Sequence, residues 1–332
     1  MKKITVILMV LLLAGITSAG ITKVGTSGGQ FLKIGVGSRY QGMGEASVAM
    51  TDDVYATYWN PAGLSAIENW SVSFTNVNWF LDIDLNYFGI ARYFEDVGVF
   101  GLSATVLSMD EQEITTIDDQ EGTGDFYSAT SYEVGLSYAR QVTNKFAFGL
   151  TLKYVGERIH KENASTVAFD FGTMMNTGFK TLRLGMSITN MGPSMKFSGP
   201  DLDVSYDGLE GQGANSSIGA SIKTTSYELP MTFRVGVAYD FETSYNSVLT
   251  VTGEIKHPND MAQQGAVGAE MNFADQFFLR SGYKIGYDEE TLSFGAGLQS
   301  SVGAETSLFI DYAWQDFGRL QNTHKFSVGF TF

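Results

Sequence analysis

The sequence predicts an all-β fold: a transmembrane antiparallel β-barrel of about fourteen strands, preceded by a small N-terminal plug (hatch) that contains short helices. Apolar and polar residues alternate with a period of two from about Trp70 onward. The alternating stretches run to about ten residues or more, which is the length of a tilted transmembrane strand and long for a soluble sandwich. Their connections are short and long in turn. Barrels of about twelve or sixteen strands also fit this pattern.

The start of the chain has the three parts of a secretory signal peptide. Lys2 and Lys3 give a positive start, an apolar run of about 13 residues follows, and small residues lead to a cleavage position after Ala19. A membrane-spanning helix would need about 20 apolar residues. We therefore predict that residues 1–19 are a signal peptide. The mature chain then leaves the cytoplasm for the outer membrane of a Gram-negative-type bacterium.

The composition argues against several classes of protein. The chain has no Cys, which excludes disulfides and thiolate catalysis, and its net charge of −15 disfavours nucleic acid as a partner. Its three His residues, His160, His257 and His324, fall in separate predicted outer loops, too scattered for a metal site or a catalytic triad. We expect a non-enzymatic protein with no cofactor and no metal.

The stretch KFAFGLTLKYV shows the alternation. Phe146, Phe148 and Leu150 share one face, whereas Gly149 and Lys153 lie on the other. In a membrane barrel the apolar face meets outer-membrane lipid and the polar face meets the lumen. The strands are predicted to begin near Ser71, Asp84, Val97, Ser128, Lys145, Ala164, Thr181, Met231, Ser247, Gly265, Phe277, Leu292, Glu305 and Thr323.

The same alternation places a set of charged residues on the lumen face. Positive and negative residues are interspersed in this set, which favours a salt-bridge network that holds a plug. The alternative is a conduit for a charged solute. The predicted lumen charges are Glu133, Lys153, Asp170, Arg183, Arg234, Glu254, Lys256, Glu270, Arg280, Lys284 and Asp311.

The connections predict the orientation of the barrel. Tight turns such as QVTNK and NFADQ alternate with longer connections such as SMDEQEITTIDDQEGTGDFYS, ERIHKENAS and the stretch 190–230. In outer-membrane barrels the short turns are periplasmic and the long loops are extracellular. The loop Asp118–Asp125 is acidic, and Asp201–Glu210 begins like a calcium loop but misses the EF-hand spacing. Solvated loop charge is the favoured interpretation for both.

The last strand carries a predicted assembly signal. The chain ends in HKFSVGFTF, with Phe326, Val328, Phe330 and Phe332 on one face. A terminal aromatic residue on such a strand resembles the signal that the barrel-assembly machinery reads, so we expect Phe332 to be recognised by that machinery. Pairing of this strand would also remove an exposed sheet edge.

Residues 20–69 precede the barrel domain, residues 70–332, and form the predicted plug. They are too few for a separate core and too apolar for a free tail. Thr51 or Asp52 is expected to cap a short helix. Pro61 then ends it, with Asn60 extended and Gly63 free for positive φ. The plug motif comprises Gly42, Gly44, Asp52, Asp53, Asn60, Pro61 and Gly63.

These motifs resemble the PorV/PorQ family within the FadL-like outer-membrane proteins. The stretch GSRYQGMGEASVAMTDDVYATYWNPAGLS is similar to the N-terminal hatch of that superfamily, and NMGP (residues 190–193) and LP (residues 229–230) recur in the PorV/PorQ branch. The resemblance implies a fourteen-stranded barrel. It also implies membership of the type IX secretion apparatus, with translocon subunits and secreted cargo proteins as partners.

Two functions follow from this resemblance. The first is a PorV-like shuttle or scaffold that handles secreted cargo through its long outer loops. The second is a FadL-like transporter that moves a hydrophobic small molecule across the outer membrane. An apolar pocket among the loop residues Met191, Met195, Phe197 and Leu202 would favour the transporter, whereas a large loop surface without a pocket would favour the shuttle.

Overall fold

Fourteen strands close into a barrel in the computed structural model, which describes residues 24–206, 218–243, 246–303 and 306–332. The predicted signal peptide, residues 1–19, lies outside the described residues, as do residues 20–23. The described strands are, in chain order, β1 (Trp70–Asn78), β2 (Ile83–Phe94), β3 (Gly98–Met109), β4 (Gln112–Glu113), β5 (Phe126–Tyr127), β6 (Ala129–Thr143), β7 (Phe146–Ile159), β8 (Glu162–Asn176), β9 (Arg183–Met191), β10 (Asp203–Tyr206), β11 (Ile218–Ser221), β12 (Thr232–Thr243), β13 (Ser247–Pro258), β14 (Gln264–Phe273), β15 (Phe277–Ile285), β16 (Leu292–Ser301), β17 (Ser307–Asp316) and β18 (Asn322–Thr331).

The remaining elements are small. Strands β4 and β5 form a hairpin in the connection between β3 and β6, and β10 and β11 form one in the connection between β9 and β12. The described helical segments are the α-helical turns Ser38–Gln41 and Ala56–Trp59 and the 3₁₀ turns Gln30–Lys33, Pro61–Ala66, Pro200–Leu202 and Gly318–Leu320. Over the ranges described, no helix is long and apolar enough to cross a membrane.

The barrel closes because its last strand pairs with its first. Each strand pairs antiparallel with its neighbours, and β18 returns to β1 with Phe74 opposite Val328. Such closure is required in lipid, which offers backbone groups no hydrogen-bond partner. The outward face is apolar, as at Leu136, which is 51% exposed, while the adjacent Ser137 is buried. The predicted fourteen-stranded antiparallel barrel is confirmed.

The strand boundaries follow the sequence pattern closely. Every predicted barrel strand begins within two residues of its observed start. One predicted long loop, ERIHKENAS, is wrong, because β7 and β8 continue through it and only His160 and Lys161 connect them. Past the apolar belt a paired strand can be polar on both faces, so its composition no longer differs from that of a loop.

The predicted loop positions of the other two histidines are also wrong. His257 lies in β13, opposite Phe233, and His324 lies in β18, opposite Trp314. Both belong to strand ends on the side of the long connections. In the described part of the chain, no group of His, Cys, Asp and Glu residues could hold a metal ion.

Candidate functional site: the barrel lumen and its N-terminal segment

The N-terminal segment, which we define as residues 24–69, lies inside the barrel. Val36, Tyr40 and Trp59 have no exposed surface. The Ser38 amide donates to the Ser327 hydroxyl of β18 at 2.9 Å, and the Ser187 hydroxyl of β9 donates to the Trp59 carbonyl at 3.1 Å. Strands β18 and β9 are on opposite sides of the closed strand order. The segment therefore reaches across the whole lumen.

Inward-facing glycines let the segment's backbone lie directly against one part of the wall. Gly149 of β7 and Gly172 of β8 are opposite each other in register. A Cβ atom on Gly149 would overlap the backbone of Pro61 and Ala62, and one on Gly172 would overlap the Asn60 side chain. These two glycines form a flat site that fits the NPAGL turn.

A second set of glycines makes the equivalent contact on the other side. Gly282 of β15 lies against the backbone of Met43 and Gly44, so that a Cβ atom there would overlap both. Gly295 of β16 is so close to the segment that its Cβ atom would lie 3.2 Å from the Gly42 Cα atom. Glycine on the lumen face therefore reflects close approach of two backbones as well as the polarity of a lumen.

Uncharged hydrogen bonds hold the Asn60–Pro61 step of the segment against the wall. Asn60 has the extended backbone expected before proline, and its side chain accepts a hydrogen bond from the Ala62 amide at 3.2 Å. The same side chain donates to the Thr173 carbonyl of β8 at 3.1 Å. Gly63 does not adopt the positive φ that the sequence suggested. It is needed because a Cβ atom would overlap the Thr51 carbonyl.

Asp53, which belongs to the plug motif, begins the helical turn that carries Trp59. Its carboxylate accepts a hydrogen bond from the Tyr55 amide at 2.9 Å. The expected cap at Thr51 or Asp52 is not made, because Thr51 donates to the Ser47 carbonyl and Asp52 binds Arg39. The Ser47 carbonyl therefore binds the Thr51 side chain, and Arg39 binds that of Asp52, in place of the backbone amides of the helical turn.

Gly42 and Gly44 form the turn that aims Glu45 at the wall. Gly44 and Glu45 have φ values of 68° and 67°. This left-handed turn places the Glu45 carboxylate 2.8 Å from the Lys284 ammonium and 4.0 Å from that of Lys256. A left-handed conformation is uncommon for glutamate, and the ion pair offsets its cost.

All eleven predicted lumen charges lie on the inner face, with side chains at most 22% exposed. Three of them form one group, in which Lys153 is 2.7 Å from Asp170 and 3.8 Å from Glu133. Asn190 of the NMGP motif closes this group, since its amide donates to Asp170 at 2.7 Å. Near the short-turn side, Arg183 binds Asp240 at 2.7 Å.

The other lumen charges contact the segment. Glu254, held by Arg234 at 2.9 Å, accepts hydrogen bonds at 2.9 Å from the amides of both Ser47 and Val48. Arg39 binds Glu270 at 3.0 Å. The segment is thus bound through its backbone as well as its side chains.

Arg280 extends this network toward the short-turn side. It contacts Glu270 at 2.6 Å and Asp311 at 2.5 Å, so that Arg39 and Arg280 share one carboxylate. Arg39 also binds Asp52 at 2.6 Å and approaches Asp53 at 3.9 Å. Both aspartates of the plug motif therefore end in a charged cluster.

Two carboxylates of the segment have shifted pKa values. Burial raises the pKa of Glu45, but Lys284, Lys256 and Lys325 lower it by more, to about 2. Burial, followed by the neighbouring Asp52 carboxylate, raises the pKa of Asp53 to about 7. At neutral pH Glu45 is therefore a fixed anion, whereas Asp53 is close to its titration point.

A chain of buried hydroxyl groups links the segment to the closure of the barrel. The Ser327 hydroxyl of β18 is 2.9 Å from the Ser38 hydroxyl and 2.7 Å from the Thr75 hydroxyl of β1. Thr75 in turn is 2.7 Å from the Tyr55 hydroxyl. The segment therefore bridges β1 and β18 from the inside.

Phe332, the predicted assembly signal, lies at the same closure. Its amide and carbonyl exchange hydrogen bonds with Trp70 at 3.1 and 2.8 Å, and the two rings are stacked with centroids 6.1 Å apart. The ring is 46% exposed on the outside of the barrel. Recognition by the assembly machinery stays a prediction.

Two cavities flank the segment. One, of about 300 Å³, opens toward the short-turn side and includes Arg39, Asp52, Asp53 and Asp311 in its lining. The other, of about 80 Å³, lies toward the long loops and has several charged residues in its lining, among them Glu45, Lys153 and Lys256. The loop residue Met195 packs tightly with Leu32 of the segment, and Met191 is 39% exposed. Met195 therefore packs against the segment and Met191 does not, and neither residue lines the two cavities described above.

Several residues of the lumen were missed by the sequence interpretation. Glu45 and Lys325, which are buried, and Arg39, which is partly buried, are partners in the network, although none was predicted as a lumen charge. Lys325 was accessible to the same argument, because it alternates with the outward Phe326. The same argument could not find Arg39 and Glu45, since these two residues lie in a region without strand periodicity.

With this geometry in hand, the chain can be compared with known families. Residues 18–259 match the model of a family described as type IX secretion system protein PorV, which is 242 of the 332 residues. The chain belongs to the PorV family. The resemblance seen in the GMG and NPAGL motifs is therefore confirmed. A search of curated protein sequences gave no match to this PorV-family chain.

Solved structures share the fold at low sequence identity. The CymD monoaromatic hydrocarbon channel is 12% identical with a TM-score of 0.57, and the match covers 90% of this chain and 98% of that one. The Ralstonia pickettii toluene transporter TbuX is 12% identical with a TM-score of 0.56, and the match covers 90% of this chain and 98% of that one. The P. putida toluene transporter TodX is 10% identical with a TM-score of 0.58, and the match covers 90% of this chain and 99% of that one. These similarities show a common FadL-like outer-membrane barrel fold and nothing about the molecules carried.

Proposed function

We propose that this PorV-family protein is a non-enzymatic outer-membrane scaffold or shuttle of type IX secretion. In this proposal residues 20–69 are a plug, the barrel is an anchor, and secreted cargo and translocon subunits bind the outer loops. The observation that carries it is the segment held across the lumen, from Ser327 of β18 to Ser187 of β9. Because the segment occupies the lumen, we expect binding partners to contact the outer loops and not the interior of the barrel.

The fit of the plug to the wall supports this proposal. The contact at Gly149 and Gly282 is between backbones, and backbones cannot move aside as flexible side chains can. Ion pairs at Arg39 and Glu45 hold the same segment. Breaking one partner of a buried pair leaves an uncompensated charge, which costs about 3–5 kcal/mol. Spontaneous opening of the lumen is therefore expected to be rare.

The long connections supply the proposed binding surface. The β4–β5 hairpin projects from the barrel, and its tip from Asp118 to Asp125 is exposed and acidic. Exposed apolar residues lie in the same connection, with Ile117 at 92% and Phe126 at 53% exposure. Apolar anchors surrounded by charge are typical of surfaces that bind other proteins.

The alternative function is a FadL-like transporter of a hydrophobic small molecule. The observation in its favour is an apolar cluster beneath the long loops, where Phe31 and Leu32 meet Met195 and Leu229. Uptake would require this packing to open. A transport assay with a hydrophobic substrate should then show uptake by the wild type and loss of uptake on substitution of Met195 by a charged residue.

The decisive experiment is a pull-down from outer membranes with a tagged protein. We expect translocon subunits and cargo to copurify. A variant in which a short Gly-Ser turn replaces residues 110–128 should lose cargo while keeping the folded barrel. The control carries the same Gly-Ser sequence inserted between Thr143 and Asn144, in a tight turn of the opposite side, and should keep cargo. If all three proteins capture the same material, or none captures a secretion component, the proposal fails.

The orientation can be tested with epitope tags. A tag after Gly122 should be reached by antibody on intact cells, whereas a tag between Thr143 and Asn144 should be reached only after the outer membrane is permeabilised. The reverse labelling would place the short turns outside and remove the proposed binding surface from the outer face.

A further inference from the structure

The smaller cavity, of about 80 Å³, lies between the beginning of the N-terminal segment and strands β12 and β13. This volume has room for several water molecules or for one small ion. Lys33, Lys153, Arg234 and Lys256 contribute four cations to its lining. Glu45 and Glu290 contribute two carboxylates to the same lining. The cavity is therefore small and surrounded by charged groups, as a site for a small charged group would be.

Three of these four cations have close partners. Lys33 is 3.0 Å from Asp260, Lys153 is 2.7 Å from Asp170, and Arg234 is 2.9 Å from Glu254. Lys256 differs from them. Its nearest carboxylate oxygen, on Glu45, is 4.0 Å away, and no other described residue accepts a hydrogen bond from its ammonium group. Only 12% of its side chain is exposed.

Two further groups in the same lining lack a partner. Gln264 is 4% exposed, and its side-chain amide has no hydrogen bond within the described ranges. The Tyr287 hydroxyl likewise has none there, while the tyrosine ring packs 4.8 Å from the Lys256 ammonium. A polar group that lines a cavity and lacks a partner in the protein is free to bind a small polar species. The cavity thus presents three such groups, the Lys256 ammonium, the Gln264 amide and the Tyr287 hydroxyl.

The nearby carboxylates are already engaged. Glu45 is 2.8 Å from Lys284, and Glu290 binds the same ammonium and accepts from Gln315. Lys325, which is 1% exposed, is held by amide oxygens alone. Three lysines, Lys256, Lys284 and Lys325, therefore share the two carboxylates of Glu45 and Glu290. Among these three lysines, Lys256 is the one whose ammonium makes no hydrogen bond to a described residue.

We propose that this cavity binds one small anion of the carboxylate or phosphate class, held by the ammonium of Lys256 and the amide of Gln264. The anion would form a charge-assisted hydrogen bond with Lys256 and would accept a second hydrogen bond from the Gln264 amide. The ion would link β13 to β14 at the wall that faces the beginning of the segment. The proposal is independent of the secretion function, because it concerns the closed interior and not the outer loops.

The test is isothermal titration of the full mature chain in detergent micelles, at neutral pH and without other polyvalent anions. Inorganic phosphate and acetate are the two probes. The variants are Lys256→Met and Gln264→Leu, and Lys223→Met, an exposed lysine outside the cavity, is the control. Heat-modifiable mobility on gels establishes that each variant is folded.

We expect saturable one-site binding of at least one probe by the wild type and by the Lys223→Met control. Affinity should fall about tenfold or more in Lys256→Met, as expected when a charged hydrogen bond is lost, and by less in Gln264→Leu. The probe that binds identifies the anion as phosphate or carboxylate. No saturable binding to the folded wild type, or unchanged affinity in both cavity variants, would overturn the proposal and leave a water-filled cavity.

Discussion

The N-terminal segment is attached to the barrel in two chemically different ways. At what we call the neutral contact, residues 60–64 lie on β6, β7 and β8 through glycines, uncharged hydrogen bonds and apolar packing around Leu64. At the charged contact, residues 39–45 lie on β14 to β18 through the ion pairs of Arg39 and Glu45. Shape fixes the first contact, whereas charge and pH also control the second.

The largest effect is expected from removing both contacts. Deletion of residues 20–69 should leave a barrel that assembles, because its strand pairing starts at Trp70. The emptied lumen should conduct ions in planar bilayers, and the full-length protein should be closed or nearly so. Equal closure of the two proteins would show that the segment is not a plug. Equal conduction would make the protein an open porin.

The next largest effect should come from a wedge at the neutral contact. A side chain in Gly149→Val would meet the Pro61 and Ala62 backbone. Overpacking of this kind costs about 1–3 kcal/mol, so the open probability should rise about tenfold. Gly253→Val is the matched control, since a Cβ atom there has only one neighbour at 4.0 Å. An open probability that does not differ between the two variants would show that the neutral contact does not keep the lumen closed.

A smaller effect is expected from one charge of the other contact. Arg280→Gln removes a partner of Glu270 and Asp311, but Arg39 continues to hold Glu270. The open probability should rise about threefold to fivefold, in keeping with partial loss of a shared network. Arg92→Gln, which alters an arginine packed on Trp70, should have no effect. Salt should change either effect little, because the Arg280 ion pairs are buried and the Gly149 contact is uncharged.

The smallest effect is expected from pH. The Glu45 pKa falls from 4.5 to about 2 in the closed state, so its stabilising contribution is lost as pH drops from about 4.5 to about 2. The Asp53 pKa rises from 3.8 to about 7, so its contribution declines as pH rises from about 3.8 to about 7. The charged contact should therefore be tightest near pH 4. Spontaneous openings of the full-length protein, counted from pH 3 to 8, should be fewest there, and Asp53→Asn should remove the rise on the alkaline side.

The barrel could be predicted from the sequence and the interior only in part. Strand alternation depends on which face meets lipid, so the starts of the fourteen barrel strands and the inward direction of Lys153 or Arg280 follow from local pattern alone. The two short hairpins β4–β5 and β10–β11 were not predicted, because they lie in the connections, outside the lipid-facing pattern. The pairing of Arg39 with Glu270 does not, because it joins residues 231 positions apart across a segment with no periodicity. Gly149 and Gly282 can be placed on the lumen face from the sequence. Glycine is needed there because the backbone of the segment lies directly opposite, and strand alternation carries no information about that backbone.

The hydroxyl chain from Ser38 through Ser327 to Thr75 and Tyr55 has a mechanical consequence. A force that pulls the segment out of the lumen would be transmitted to the two strands whose pairing makes the barrel a closed ring. Pulling the segment out of the lumen therefore also loads the pairing of β1 with β18. A pulling experiment from the N-terminus should register the β1–β18 junction as a distinct late force peak, one that Ser327→Ala lowers.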